Sequence, residues 1–163
     1  MPGREPIYAD HHATSPLRPE VRAVMEPWLG LAANASSIHE AGRRARRAVE
    51  ESRSEVARAL GARPEEIVFT SGGTEADNLA VRGAAWAARS EDPCRTLVAV
   101  SAAEHAAVRE AASSLTLEGF ELAELPVDAN GLVPVGELAR LDDRVAMVSI
   151  IYANNETGVV ETA

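Results

Sequence analysis

The sequence predicts an α/β fold in which a mostly parallel sheet is flanked by helices. Two observations carry this prediction: short apolar segments recur along the chain, and longer segments with helix start and stop signals separate them. This alternation is typical of parallel sheets that are covered on both faces. The predicted strands are Ile67–Thr70, Thr96–Val100, Phe120–Leu125 and Val145–Ile151.

Helix signals fall before and between these strands. Pro19 suits the first position of a helix, and Ser37 stands three residues before Glu40, which is the spacing of a capping box. Gly61 is placed to end that second helix in the left-handed conformation, and Thr74 is the expected cap of the third. The predicted helices run over 19–29, 37–60, 74–89, 105–116 and 134–141.

All sixteen cationic side chains of the 163-residue chain are Arg, so the chain contains no Lys. This excludes a Schiff-base or phosphate-loop lysine on this chain. The net charge of -9 argues against direct nucleic-acid binding, and the run Arg43–Arg47 is interpreted as a solvated helix face. With one cysteine, no signal-peptide pattern and no apolar run of membrane-spanning length, we expect a cytoplasmic protein without membrane contact.

Three loops follow predicted strands, and ligands of open parallel sheets bind beyond the carboxyl ends of the strands. Ser71–Thr74 offers glycines and helix amides that suit a phosphate, or it forms an ordinary capped turn. His105 could stack on a flat ring or transfer a proton, or it simply begins a helix. The polar run Asn154–Gly158 either binds a ligand or satisfies its own turn.

These loops belong to six ordered motifs that resemble the cysteine desulfurase family of pyridoxal-phosphate enzymes, in the class V aminotransferase group. The motifs are Tyr8–Pro16, Asn34–His39, Glu66–Asn78, Glu104–His105, Pro126–Asp128 with Gly131, and Tyr152–Gly158. The resemblance covers nearly the whole chain, although Ala35 replaces a proline of the second motif. It implies an incomplete large domain of a fold type I pyridoxal-phosphate transferase. Residues 1–16 would be a segment of the small domain that lines the substrate pocket, and 17–163 the first half of the cofactor-binding domain.

The resemblance also implies roles for individual residues. Gly73 and Thr74 would bind the phosphate of pyridoxal 5'-phosphate, and His105 would stack on its ring and act as a catalytic residue. Asn155 would contact the cofactor and the substrate, whereas Ala13 and Thr14 would line the substrate pocket. The implied reaction converts L-cysteine to L-alanine and a persulfide on an enzyme cysteine, from which sulfur passes to an acceptor protein such as an iron–sulfur scaffold.

Three catalytic groups of the family have no counterpart in this chain: the Schiff-base lysine, the aspartate at the pyridine nitrogen and the sulfur-accepting cysteine. The single cysteine, Cys94, is not at the sulfur-accepting position. The chain ends at Ala163, soon after the last predicted strand. We therefore expect a truncated or split enzyme that is inactive alone. A C-terminal half or second chain would complete it, and the completed enzyme would be a homo-oligomer.

Two alternatives stay open. The first is an inactive remnant or interaction module that keeps the fold. The second is a metal-dependent phosphoesterase based on Asp10–His12, whose letters occur in such a family. Adjacent histidines on an extended segment point to opposite sides and rarely bind one ion together, so we expect no metal site.

Overall fold

The computed structural model describes residues 7–11 and 13–161, which belong to two compact units. The first unit is Met1–Phe69 and the second is Thr70–Ala163. The division expected from the family resemblance, after residue 16, stays a prediction.

The first unit is helical. Its helices are α1 (Pro19–Met25), a 3-10 turn at Glu26–Trp28, α2 (Glu40–Leu60) and a second 3-10 turn at Pro64–Glu66. Gly61 ends α2 with a φ of 66°, which confirms the predicted left-handed stop. All four arginines of the run Arg43–Arg47 are exposed on α2, as the solvated-face interpretation requires.

The predicted capping box at the start of α2 is wrong. The residue that caps α2 is His39, whose ring Nδ1 accepts a hydrogen bond from the Gly42 amide at 3.2 Å. Ser37 instead belongs to the preceding turn, where its amide donates to the Asn34 carbonyl. The backbone of Ser37 also packs closely against Gly42, at a place where a Cβ atom on Gly42 would collide with the Ser37 carbonyl.

The predicted strand Ile67–Thr70 is also wrong. The segment has no strand partner among the described residues, and Val68 and Phe69 are exposed. Arg53 holds the end of the first unit in another way, because its guanidinium donates to the Ile67 carbonyl and lies over the Phe69 ring at 4.9 Å from the centroid. A strand is assigned by pairing with a neighbour, so its apolar composition alone was not sufficient.

The second unit confirms the predicted parallel sheet flanked by helices. Its elements are α3 (Gly73–Glu91), β1 (Leu97–Ser101), α4 (Ala106–Ser114), a 3-10 turn (Leu115–Glu118), β2 (Glu121–Leu125), α5 (Val135–Leu138) and β3 (Val145–Ser149). The strand order is β2-β1-β3, and both pairs are parallel. Thr74 lies inside α3 rather than capping it, because the helix begins at Gly73 and the cap position is Gly72.

The central strand β1 is buried on both faces, which explains its continuous apolar sequence. Val98 and Val100 pack into a cluster with residues of α3 and α4. Ala99 points to the opposite face and packs with Leu125 and Val133. The carboxyl end of this fully buried strand is therefore a rigid base for the loop that follows it.

Candidate active site

A cavity of about 360 Å³ opens in the second unit beyond the carboxyl ends of β1 and β3. The loop after β1 and the loop after β3 both contribute to its lining, so two of the three loops selected from the sequence meet there. The residues that line it are Ala102–Ala106, Arg109, Val127, Gly131 and Asn154–Thr157.

His105 brings an imidazole to this cavity. It is exposed and caps α4, and its Nδ1 accepts a hydrogen bond from the Ala107 amide at 3.1 Å. Because Nδ1 acts as an acceptor, this hydrogen bond assigns the proton of the neutral ring to Nε2. The ring therefore has a fixed inner nitrogen and an outer N–H group that is available to a ligand.

Asn154 and Asn155 occupy the loop after β3 and differ in their surroundings. Asn154 is half-buried, and its Nδ2 donates to the Ala103 carbonyl at 3.0 Å. Its Oδ1 accepts from the amides of Glu156 and Thr157, each at 2.9 Å. Asn155 is exposed and lines the cavity. Asn154 therefore stabilises the loop, and Asn155 presents an amide side chain to the cavity.

A buried polar contact lies beneath the loop after β1. Glu104 is only 8% exposed and accepts a hydrogen bond from the Ser149 hydroxyl at 2.7 Å. Ser101 is buried as well, and its Oγ accepts from the Ala103 amide at 3.1 Å. Ser101 was predicted only as the first residue of a candidate loop, and neither Ser149 nor the cavity residue Arg109 was predicted from the sequence. Single serines at the ends of apolar strands were the signal that could have found the first two.

Gly73 and Thr74 lie at the start of α3 in the same unit, outside the lining of this cavity. Gly72 caps the helix without a side-chain hydrogen bond. A Cβ atom on Gly72 or Gly73 would meet nothing within 4 Å. The first-turn amides thus form an open helix N-terminus of the kind that binds phosphate.

A carboxylate lies in the first turn of α3. Glu75 accepts hydrogen bonds from the Ser71 hydroxyl at 2.6 Å and from the Ser71 amide at 2.7 Å. These two bonds, the hydroxyl first, lower the pKa of Glu75 below its ordinary value. Glu75 therefore holds the turn that leads into the helix.

Ala13 and Thr14 lie in the first unit, where the Thr14 carbonyl accepts a hydrogen bond from the Tyr8 hydroxyl at 2.8 Å. Their role at a substrate pocket stays a prediction. The Asp10–His12 interpretation falls partly on His12, which is outside the described residues. Among residues 7–11 and 13–161, no three His, Cys, Asp or Glu side chains form a group that could hold a metal. No helix in the part of the chain that the structure describes is long and apolar enough to cross a membrane.

Comparisons with known proteins identify the family of this chain. The family model for class-V aminotransferases matches residues 7–163. The chain therefore belongs to the class-V aminotransferase family, and both the predicted resemblance and the predicted fold class are confirmed.

The chain is similar to proteins named as cysteine desulfurases. The IscS-like cysteine desulfurase of Mycobacterium tuberculosis is 44% identical over 160 residues, which cover 94% of this chain and 40% of the relative. A solved NifS-like protein has a TM-score of 0.84 at 32% identity and matches 93% of this chain and 42% of its own. SspA in complex with cysteine has a TM-score of 0.83 at 32% identity, and the match covers 94% of this chain and 44% of the SspA chain. The chain spans about 40% of the length of the curated relatives it matches.

Proposed function

We propose that this chain is the N-terminal part of a pyridoxal-phosphate-dependent cysteine desulfurase, which converts L-cysteine to L-alanine and an enzyme persulfide. The observation that carries the proposal is the cavity lined by both His105 and Asn155 at the carboxyl edge of the parallel sheet. The relatives' names support the reaction, and a complex of one structural neighbour with cysteine supports the substrate.

The chemistry of the side chains fits the cofactor. The open N-terminus of α3 at Gly73 and Thr74 suits its phosphate. The exposed imidazole of His105 suits a flat aromatic ring, and the exposed amide of Asn155 suits its phenolic oxygen. When bound, the cofactor supplies an electron sink for the pair of electrons left at the substrate's α-carbon.

His105 has two functions in this proposal. Its Nδ1 is held by the Ala107 amide, which fixes the plane of the ring relative to α4. Its Nε2–H group then donates a hydrogen bond into the cavity without the ring having to reorient. Asn155 can donate through Nδ2 and accept through Oδ1, so it can orient both the cofactor and the substrate.

The remaining chemistry comes from outside this chain. The sequence has no Lys, so the Schiff-base lysine belongs to a complementary C-terminal half or second chain, together with the sulfur-accepting cysteine. Cys94 is exposed in the turn after α3, where its amide donates to Asp92, and it has no role in the proposal. The same proposal includes the pocket role of Ala13 and Thr14 and the domain division after residue 16. It also includes a homo-oligomer, an acceptor protein of iron–sulfur cluster assembly and a cytoplasmic location.

The test is to reconstitute the complete assembly. The chain is co-expressed with a C-terminal desulfurase segment that carries the lysine and the sulfur-accepting cysteine. Three quantities are measured: the visible absorbance of bound pyridoxal phosphate, L-alanine formed from L-cysteine, and protein-bound persulfide. We expect all three from the assembly and none from the chain alone. A matched control replaces the lysine of the complementary segment and abolishes turnover.

Two results would contradict the proposal. An assembly that binds no pyridoxal phosphate would remove the cofactor assignment. An assembly that binds the cofactor but forms no alanine from L-cysteine would favour the inactive remnant.

A further inference from the structure

Asn154 connects the two loops that line the cavity. All of its polar groups are engaged: its amide donates to the Val159 carbonyl at 2.8 Å, and its carbonyl accepts from Gly158 at 2.9 Å. Its side chain closes its own turn through Oδ1 and reaches the Ala103 carbonyl through Nδ2. A single side chain therefore holds the loop of Asn155 and bonds it to the loop of His105.

A second hydrogen bond anchors the loop of His105, at the residue after Ala103. The Ser149 hydroxyl, on the last residue of β3, donates to the carboxylate of Glu104, which is buried and directly precedes His105. A buried carboxylate without its donor is costly, so this bond strongly favours one position of the loop. Ala103 and Glu104 are thus both bonded to the β3 side immediately before the histidine.

We propose that Asn154 and Ser149 are positioning residues, which act through Ala103 and Glu104 to hold the His105 imidazole in register with Asn155. This inference rests on the proposed function for its catalytic consequence. Neither residue needs to touch substrate or cofactor. Their effect is to fix the spacing of two groups that must act on one bound molecule, and small misplacements of such groups reduce rates strongly.

The test uses two selective changes in the complete assembly. Asn154→Asp keeps an oxygen for the amides of Glu156 and Thr157 but loses the donor to the Ala103 carbonyl. Ser149→Ala removes the hydroxyl that bonds Glu104, and Ser149→Thr restores a hydroxyl at the same place. The control Ser113→Asp adds one negative charge on an exposed residue of α4, outside the cavity lining.

Two measurements are made on each variant. Steady-state kinetics separate kcat from KM for L-cysteine. Mass spectrometry follows carbethoxylation of histidines by diethyl pyrocarbonate in the cofactor-free assembly. His39 is the internal reference, because its Nδ1 also accepts a backbone amide, at 3.2 Å compared with 3.1 Å for His105.

We expect Asn154→Asp to lower kcat by on the order of 100-fold while KM changes little. Ser149→Ala lowers kcat about tenfold, as loss of a hydrogen bond to a charged group predicts, and Ser149→Thr restores most of it. The modification rate of His105 rises in Asn154→Asp and in Ser149→Ala, whereas the modification rate of His39 stays unchanged. The control Ser113→Asp keeps the kinetics of the wild type.

The outcomes are distinguishable. Unchanged kcat and unchanged His105 reactivity in Asn154→Asp would overturn the inference. If Asn154→Asp fails to assemble, the comparison of Ser149→Ala with Ser149→Thr tests the inference. An equal loss of kcat in these two variants would overturn the inference. If the wild-type assembly does not convert L-cysteine but His105 reactivity still responds to both changes, the proposed function fails and the positioning role stands.

Discussion

The helices α3 and α4 begin in contrasting ways within the same unit. At the start of α3 the cap residue is Gly72, which has no side chain to bond the first-turn amides. At the start of α4 the cap residue is His105, whose ring Nδ1 accepts the Ala107 amide. One helix N-terminus is therefore open to an external anion, and the other is occupied by its own side chain.

The difference shows how one structural position can serve two chemical purposes. An open N-terminus presents unpaired amides and the positive end of the helix dipole, and both attract phosphate. A capped N-terminus has less to offer an anion, but it fixes the orientation of the capping ring. The proposed site needs one of each, an anion-binding end and an oriented imidazole.

The largest expected effect comes from removing the imidazole while keeping the cap. His105→Asn in the complete assembly retains a side-chain acceptor for the Ala107 amide but loses Nε2 and the flat ring. We expect kcat for L-cysteine desulfuration to fall by about 10²–10³-fold, the usual range for loss of a hydrogen-bond donor that stabilises the transition state. Alanine formation under saturating cysteine checks this. Turnover equal to wild type would show that His105 does no more than cap α4.

A smaller effect is expected from closing the open helix. Gly72 has an extended backbone with a φ of 168° and open space around it, so a side chain is sterically tolerated. Gly72→Asp supplies a capping carboxylate that occupies the amides and repels an anion. We expect the affinity for pyridoxal phosphate to fall about 10- to 100-fold, in line with the loss of a charge-assisted hydrogen bond.

Absorbance titration of the cofactor-free assembly measures this affinity. Gly72→Asn is the matched control, because it caps the helix without a charge and should have an intermediate affinity. Unchanged affinity in Gly72→Asp would place the phosphate elsewhere.

A third prediction separates the cap from the chemistry by stability. His105→Ala loses the acceptor for the Ala107 amide, whereas His105→Asn keeps one. We expect the alanine variant to lower the free energy of unfolding by about 1 kcal/mol relative to the asparagine variant, the typical value of an N-cap. Urea denaturation of the assembly, followed by circular dichroism, gives the difference. Equal stability of the two variants would mean that the Nδ1 bond contributes nothing to α4.

The features that sequence reasoning predicted correctly are local. The buried strand β1 is a continuous run of apolar residues, and the sequence around His105 is typical of a helix start. Both features could therefore be predicted from a few neighbouring residues. The rule that ligands bind beyond the carboxyl ends of parallel strands then selected the loops that line the cavity. His39 escaped prediction as a cap because histidine is not among the usual capping residues.

The features that it missed depend on contacts distant in sequence. The segment Ile67–Thr70 has strand composition, but pairing is a property of a neighbouring strand. The bonds from Ser149 to Glu104 and from Asn154 to Ala103 join residues 45 and 51 positions apart. Asn155 was selected through family resemblance, whereas the supporting role of Asn154 became visible only when its partners were in place.

The smallest expected effect is a pH dependence at the open end of α3. Hydrogen bonds from the Ser71 hydroxyl and amide lower the pKa of Glu75 below its ordinary value of 4.5, so they favour the ionised form in the folded state. Their contribution to stability is therefore present above pH 4.5 and is lost as the pH falls through the lowered folded value. Glu75→Gln removes this titration but keeps an acceptor oxygen for Ser71.

The melting temperatures of the wild-type assembly and of Glu75→Gln, measured from pH 7 down to the acid limit of the fold, check the sign. We expect the wild type to be slightly more stable at neutral pH and the difference to shrink as the solution is acidified. Asp77→Asn, two residues further along the same helix, controls for the loss of a charge. A melting-temperature difference that grew on acidification would contradict this prediction, because it would mean that the Ser71 bonds favour the protonated form of Glu75.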